Sequence, residues 1–597
     1  MKKNNWEKAG KKRRAGVSLG LFSLYSSQSQ GVGDLADLVT FINWASDAGL
    51  SVVQLLPMNE VGGVFCPYDA VSSFALEPFY LSLAALPAAL RRGFNDRIAS
   101  LKKTFAIQDG RLDYGVKDAK RGLLRDIYRR HGAQKPAGYA SFCASGASWL
   151  NDYALYKVIK GIHRGSPWYD WPREYRDRDE QALSGIRAQY GDEYEFEKWV
   201  QWLLCGQLSA AHRAAQARGI LMKGDLPLLV SRDSADVWAH PELFKLNHAA
   251  GAPPDMYCAR GQRWGMPTYN WEAVAADGYR YIRDKLAFAS QFYDILRIDH
   301  VVGLFRIWSI PGENDPQEAG LHGFFDPAEE SLWAEHGRGL LSVMLSQSSM
   351  LLCAEDLGTI PPVTRQVLAA LEIPGNDVQR WSKDWDGNHD FLSPDRYRPC
   401  AVAMLSTHDT TNWSAWWRYE AGTVDGDMFR RMCGDRGIDF HAVSAKLFDV
   451  ERSAHGRLRW RQEIDSIDVF LWNLGRPRVE VEDFVGMYQD TYNEKQKLWS
   501  SLGFEGTVPG SADSALVREA LRITLSSVSL LCVETMLDWL SLADLLPGDP
   551  YAWRINTPGT VNDRNWSLCL PLSLEELRGH PLKGKIRSLL QETRRLP

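Results

Sequence analysis

Two short segments carry carboxylates in settings where a carboxylate can do chemistry. In Arg297-Ile298-Asp299-His300, strand alternation puts Arg297 and Asp299 on one face, so the guanidinium can hold Asp299 ionised and aimed. In Ala354-Glu355-Asp356-Leu357-Gly358, the acidic pair follows the apolar run SSMLLC, where an apolar surround and a nearby carboxylate both push the pKa of Glu355 upward. One ionised and one protonated carboxyl, about 5 Å apart, can cleave a glycosidic bond with retention. The first attacks the anomeric carbon and the second protonates the departing oxygen. A third segment, Ser406-Thr407-His408-Asp409, adds a carboxylate beside an imidazole, a pair able to bind sugar hydroxyls and favour distortion toward an oxocarbenium state. Each segment has a plainer alternative. Arg297 and Asp299 can be an ion pair at a strand end, Glu355 or Asp356 can cap the turn before Gly358, and His408 can be a core or surface histidine.

Groups this far apart in sequence need a scaffold that gathers them. Eight short apolar runs recur along the chain, at 16 to 21, 51 to 57, 219 to 230, 293 to 301, 348 to 358, 377 to 381, 400 to 409 and 527 to 536. Near-continuous apolarity marks strands buried on both faces, hence a parallel sheet covered by helices. Eight of them predict an α/β fold, a (β/α)8 TIM barrel. Asp225, Asp299, Glu355 and Asp409 all fall late in their runs, where barrel enzymes keep their reactive groups. An open doubly wound sheet is disfavoured because no Gly-rich phosphate turn follows the first strand.

The runs are unevenly spaced. Residues 85 to 215 read as an inserted helical subdomain and 415 to 515 as a second inserted helical segment, within one catalytic unit over 1 to 597. A formal net charge of -5, from 69 basic and 74 acidic residues, gives no drive toward nucleic acid or an anionic membrane. The 23 tryptophans fit a ligand that stacks, as sugar rings do. Nine scattered cysteines lack metal-ligand or redox spacing and read as reduced thiols of a cytoplasmic protein. KKRR at 11 to 14 reads as a solvated basic tail before the first strand, not as the head of a leader peptide, because Ser18, Ser23 and Tyr25 interrupt the apolar run.

Longer segments add a resemblance. GDLPLLVSRDSADVWAHPELF (224 to 244), GAPPDMYCARGQRWGMPTYNW (251 to 271), LRIDHVVG (296 to 303) and RINTPGTVNDRNW (554 to 566) resemble the amylomaltases, the 4-α-glucanotransferase family of the α-amylase superfamily, over essentially the whole chain. The resemblance implies Asp299 as nucleophile, Glu355 as acid/base and Asp409 as transition-state stabiliser. It implies that Arg297, His408 and Asp225 line the subsite of the cleaved sugar with Tyr68 as a stacking wall. It also implies that Asp255, Gln262 and Trp264 belong to a loop holding glucan on the acceptor side. Val301-Val302 stands where the family usually has Phe-Arg, and Met266 where it has a polar residue; these bear on subsite contacts and product size. The implied activity is transfer of α-1,4-glucan segments between donor and acceptor chains through a covalent glucosyl-enzyme, with no metal or organic cofactor. An α-glucan hydrolase with the same carboxylates is the nearest rival, and a catalytically silent glucan-binding protein the more distant one.

Overall fold

The computed structural model describes residues 5–107, 109–132, 135–254, 260–385 and 387–597. Its centre is a parallel sheet of eight strands: β1 (Arg14–Leu19), β2 (Val52–Leu55), β3 (Leu221–Leu226), β4 (Ile295–Ile298), β5 (Leu351–Ala354), β6 (Gly375–Val378), β7 (Ala401–Met404) and β8 (Leu531–Thr535). Each falls within or against one predicted run. Two are displaced toward the N-terminus: β1 begins at Arg14, and β6 begins at Gly375, with Gln379–Trp381 forming a 3-10 turn beyond it. The hydrogen-bonded order is β5-β4-β3-β2-β1-β8-β7-β6, so the sheet curls until its two ends meet. The meeting of β5 and β6 is a seam where the Ala354 amide donates to Pro374 O at 2.7 Å. A Cβ on Gly375 would lie 2.4 Å from Asp356 Oδ2, so only glycine lets the two ends approach.

Alternate strand residues separate inside from outside, as a period of two requires. Val52, Ile295, Leu351, Cys353, Val378, Val402, Leu531 and Val533 fill the barrel, while Val53, Leu296, Ile298, Leu352, Ala403 and Cys532 pack outward in the larger core. The interior cluster also contains Trp6 and Ala9, so the N-terminal segment is not wholly a solvated tail. Asn5 Nδ2 donates to Leu352 O, and Arg13 Nη2 donates to Leu525 O and Ser527 O; Lys11 remains half-exposed in a surface ion pair with Glu372. A plug of this kind buries apolar strand ends that would otherwise face water.

Helices Leu35–Asp47, Gly191–Ala217, Arg280–Ala289, Glu330–Gln347, Pro362–Ala370 and Ser514–Ser526 lie between successive strands. Asp34 starts the first of them with a capping box, accepting from the Ala36 and Asp37 amides. Between β6 and β7 the described residues hold two 3-10 turns and an antiparallel bridge between Lys383 and Phe391, and no α-helix.

Helices also fill 85 to 215, the last being Gly191–Ala217, which covers the barrel between β2 and β3. The stretch 415 to 515 is not purely helical: Thr423–Asp425, Arg457–Trp460 and Phe448–Ala454 form an antiparallel sheet around a separate core of Phe429, Phe448, Trp460, Phe470, Phe484 and Tyr488. The polar middle of Phe448–Ala454 hides that strand from a hydrophobicity reading. A second antiparallel sheet was also not legible, ordered Phe324–Asp326, Ile307–Pro311, His248–Ala252, Gln262–Arg263. No helix among the described residues is long and apolar enough to cross a membrane.

Candidate active site

The ends of β3, β4, β5 and β7 open into one cleft of about 2560 Å³. Register builds its floor. Asp225 on β3 pairs with Arg297 on β4, and Ile298 pairs with Ala354 on β5. Asp299 and Glu355 are therefore the next residues on strands about 4.8 Å apart. Arg297 Nη1 donates to Asp225 at 2.7 and 2.9 Å and to Asp299 Oδ1 at 2.9 Å. The expected same-face pair of Arg297 and Asp299 is present, joined by a carboxylate from the neighbouring strand.

Asp225 departs from the expectation that it lines a subsite. Its side chain has 0% exposure, and its oxygens accept from Arg297 and from Tyr68 Oη at 2.8 Å. It stands behind those two side chains and fixes them. Tyr68 in turn stacks on His408, ring centroids 5.2 Å apart, and Trp566 leans on both at 5.8 Å. The expected wall at Tyr68 is thus a three-ring assembly.

Both Glu355 oxygens accept backbone N–H bonds, Oε2 from His300 at 2.9 Å and Oε1 from Leu357 at 2.8 Å. The turn-capping alternative and a reactive position hold together, since each oxygen keeps a second lone pair. His300 sits at φ 44°, a left-handed conformation that costs a non-glycine residue about 1 kcal/mol or more. Gly303 follows closely enough that a Cβ there would meet His300 Cδ2 at 2.9 Å. Asp356, the other acid of the pair, is turned away: Arg398 Nη1 donates to it at 2.6 Å and the Asn376 amide at 2.6 Å, which makes it a strut across the β5/β6 seam.

Electrostatics rank the three carboxyls. Burial raises Glu355 to about 7, with Arg297 opposing and Asp299 and Asp356 adding to the rise. Burial likewise raises Asp299 to about 6; Arg297 and His408 oppose it, Asp225 and Asp409 reinforce it. Arg297 orients Asp299 and favours its ionised form, but burial outweighs it, and Asp225, which shares the guanidinium, adds to the rise. For Asp409 burial also pushes upward, but His408, Asn556 and Arg297 outweigh it and hold the carboxyl at about 2. His408 Nε2 lies 3.3 Å from Asp409 Oδ2, and Asn556 Nδ2 donates to Oδ1 at 2.7 Å.

Gln262 and Trp264 line the cleft at the edge of the four-stranded sheet; Trp264 Nε1 donates to Gln262 Oε1 at 2.9 Å. The indole meets His300 edge to face at 4.7 Å, and burial keeps that imidazole neutral, its pKa lowered to about 4. Asp255, assigned to the same loop, lies outside the described residues. Of the departures from the family pattern, Val302 and Met266 line the cleft, while Val301 is fully buried in the core.

Sequence reasoning missed His300, Asn556, Trp566 and Arg380. Asn556 and Trp566 sit in the segment 554 to 566 after β8, whose position at the C-terminal end of a barrel strand was the available signal. Arg380 is 3% exposed and donates to Ser406 Oγ at 2.8 Å and Thr411 O at 2.9 Å, tying together both ends of the loop that carries His408 and Asp409. Among the described residues no group of three His, Cys, Asp or Glu is placed to hold a metal ion.

Comparison with known proteins places this geometry. A family model described as 4-alpha-glucanotransferase matches residues 19–573. A 4-alpha-glucanotransferase of Chlamydia pneumoniae is 30% identical over 598 residues, covering 98% of this chain and 97% of that one. Its counterpart in Thermus thermophilus is 32% identical over 426 residues, 68% of this chain and 81% of that protein. Among solved structures, an amylomaltase from Streptococcus agalactiae in complex with acarbose superposes with a TM-score of 0.74 at 21% identity, covering 98% of this chain and all of that one, and so shares the barrel fold.

Proposed function

This chain belongs to the 4-alpha-glucanotransferase family and is an enzyme of that activity, and on that premise we propose how its own residues perform the transfer. Asp299 attacks the anomeric carbon of an α-1,4-linked glucan while Glu355 gives its proton to the departing 4-oxygen. The new ester between Asp299 and the glucosyl carbon is then broken by the 4-hydroxyl of a second chain, whose proton returns to Glu355. Two inversions keep the α configuration, and the donor segment changes owner. The two carboxyls supply nucleophile and proton, so the scheme calls on no metal or organic cofactor.

The observation that supports these roles best is the geometry on adjoining strand ends. Arg297 Nη1 donates to Asp299 Oδ1 at 2.9 Å and favours its ionised form, while burial and the neighbouring carboxylates raise Glu355 and favour its protonated form. Asp409, ionised and fixed by Asn556 and His408, is suited to binding hydroxyls of the sugar as positive charge develops. Arg297, His408 and Tyr68 would contact the cleaved sugar with Asp225 behind them, and Gln262 and Trp264, with Asp255 in the same loop, would hold the acceptor.

We take donors and acceptors to be maltooligosaccharides, amylose or glycogen, and the compartment to be the cytoplasm, which suits cysteines that are free wherever they are described. The molecule reads as one catalytic barrel over 1 to 597 with 85 to 215 and 415 to 515 as added segments. The deciding experiment incubates the protein with maltotriose and follows chain length and reducing ends together. Transfer gives longer and shorter chains with few new reducing ends; a parallel rise in reducing ends would return the hydrolase reading.

A further inference from the structure

Beyond the reacting carboxylates the cleft continues into an arm whose walls come from different parts of the chain. One wall is the β6-to-β7 connection with Trp381, Lys383 and Trp385; the other is the inserted sheet and its helices, with Asp425, Arg457 and Asp490. Because no α-helix stands between β6 and β7 among the described residues, this flank of the barrel is free to form one side of a groove.

Trp385 is 42% exposed, uncommon for an indole, yet it is not loose. Its Nε1 donates to Trp381 O at 3.0 Å, and Lys383 Nζ lies 5.5 Å from its ring centre, so the plane of the ring is set. The polar groups around it are held as firmly. Arg457 donates twice to Thr423, both at 3.0 Å, and reaches Asp425 at 3.6 Å. Lys383 meets Glu494 at 2.6 Å, and His389 bonds Asp490. Arg457 and Lys383 are each matched by a carboxylate, so this set of polar groups is fixed and carries little net charge. A flat aromatic face beside a rigid, charge-balanced set of hydrogen-bonding groups suits a neutral polyhydroxyl chain, and gives no advantage to phosphate or nucleic acid.

We propose that this arm is a second glucan-binding site, in which a sugar several units from the exchanged bond stacks on Trp385 while Arg457 and Asp425 meet its hydroxyls. The inference rests on the transferase reading and adds to it a preference for long chains. A trisaccharide that fills the reacting end does not reach the arm; a long linear glucan occupies both.

The test compares maltotriose with linear maltodextrin of about twenty units as sole substrate, for the unaltered protein, Trp385→Ala and Trp385→Phe. Loss of one stacking contact is worth about tenfold in affinity. Trp385→Ala should raise KM for the long substrate about tenfold and leave maltotriose kinetics within twofold, with Trp385→Phe recovering much of the loss. Equal losses on both substrates would place Trp385 in the framework of the reacting end, and no change on the long one would empty the arm of glucan; either overturns the proposal. Failure of the unaltered protein to redistribute maltotriose would overturn the transferase chemistry, a separate result from any Trp385 effect.

Discussion

Arg297 touches Asp299 at 2.9 Å and still does not keep that carboxyl at its ordinary value, because burial beside Asp225 and Asp409 carries it to about 6. On the proposed roles, Asp299 as nucleophile and Glu355 as acid titrate close together, and the pH profile should show it. Asp299 must be ionised, so kcat/KM on maltotriose should rise as pH climbs through about 6; Glu355 must be protonated, so it should fall as pH passes about 7. The two limbs belong to the pair as a whole. A flat profile from pH 5 to 9 would remove this pair from the rate-determining chemistry.

Glu355→Gln separates the two halves of the reaction. A sugar alkoxide needs a proton to leave and fluoride does not, so the variant should lose action on maltotriose while forming the glycosyl-enzyme from an α-maltosyl fluoride at a near-normal rate. Azide, which needs no base, should restore turnover and give an α-glycosyl azide, observable by mass and NMR. Equal loss on both donors without azide rescue would transfer the acid role to another carboxyl.

Trp264→Ala should remove one wall of the acceptor side, held as it is against His300 at 4.7 Å and tied to Gln262. Water then competes better for the glucosyl-enzyme, and the ratio of new reducing ends to transferred chains should rise several-fold. If hydrolysis and transfer fall together, the residue positions the donor instead.

Arg380 holds the loop between Ser406 and Thr411 that carries His408 and Asp409, which makes it a positioning residue. Arg380→Met should lower kcat on maltotriose about tenfold or more with KM little changed, since Asp409 is called upon most in the transition state. Arg380→Lys, able to keep one of the two anchors, should fall between. A drop in melting temperature without the kcat effect would confine Arg380 to the framework.

The parts of this site that were legible in the sequence are those that end apolar strands. Asp299, Glu355 and Asp409 each follow a run buried on both faces, and that local signal survives into three dimensions. β6 was misplaced by two residues because Gly375-Asn376 carries no apolar signature; its glycine is there to admit Asp356, a partner on another strand. Asn556 and Trp566 were given no role for a related reason: an asparagine and a tryptophan in an irregular segment acquire meaning only when the chain returns them to Asp409 and His408. The rise at Asp299 was not legible because it comes first from burial and then from Asp225, a carboxylate far away in sequence.

The seam between β5 and β6 divides the machinery unevenly, with Asp299 and Glu355 on one bank and Asp409 on the other. Elsewhere around the ring neighbouring strands are laced by backbone ladders; here the crossing depends on the Ala354–Pro374 bond and on struts such as Arg398 to Asp356. A barrel stitched this way yields like a split collar. Thermal or chemical stress that parts the collar moves the two banks against each other while leaving each strand attached to its remaining neighbours. Inactivation should then precede melting, with an enzyme already silenced still showing the circular dichroism of an intact barrel.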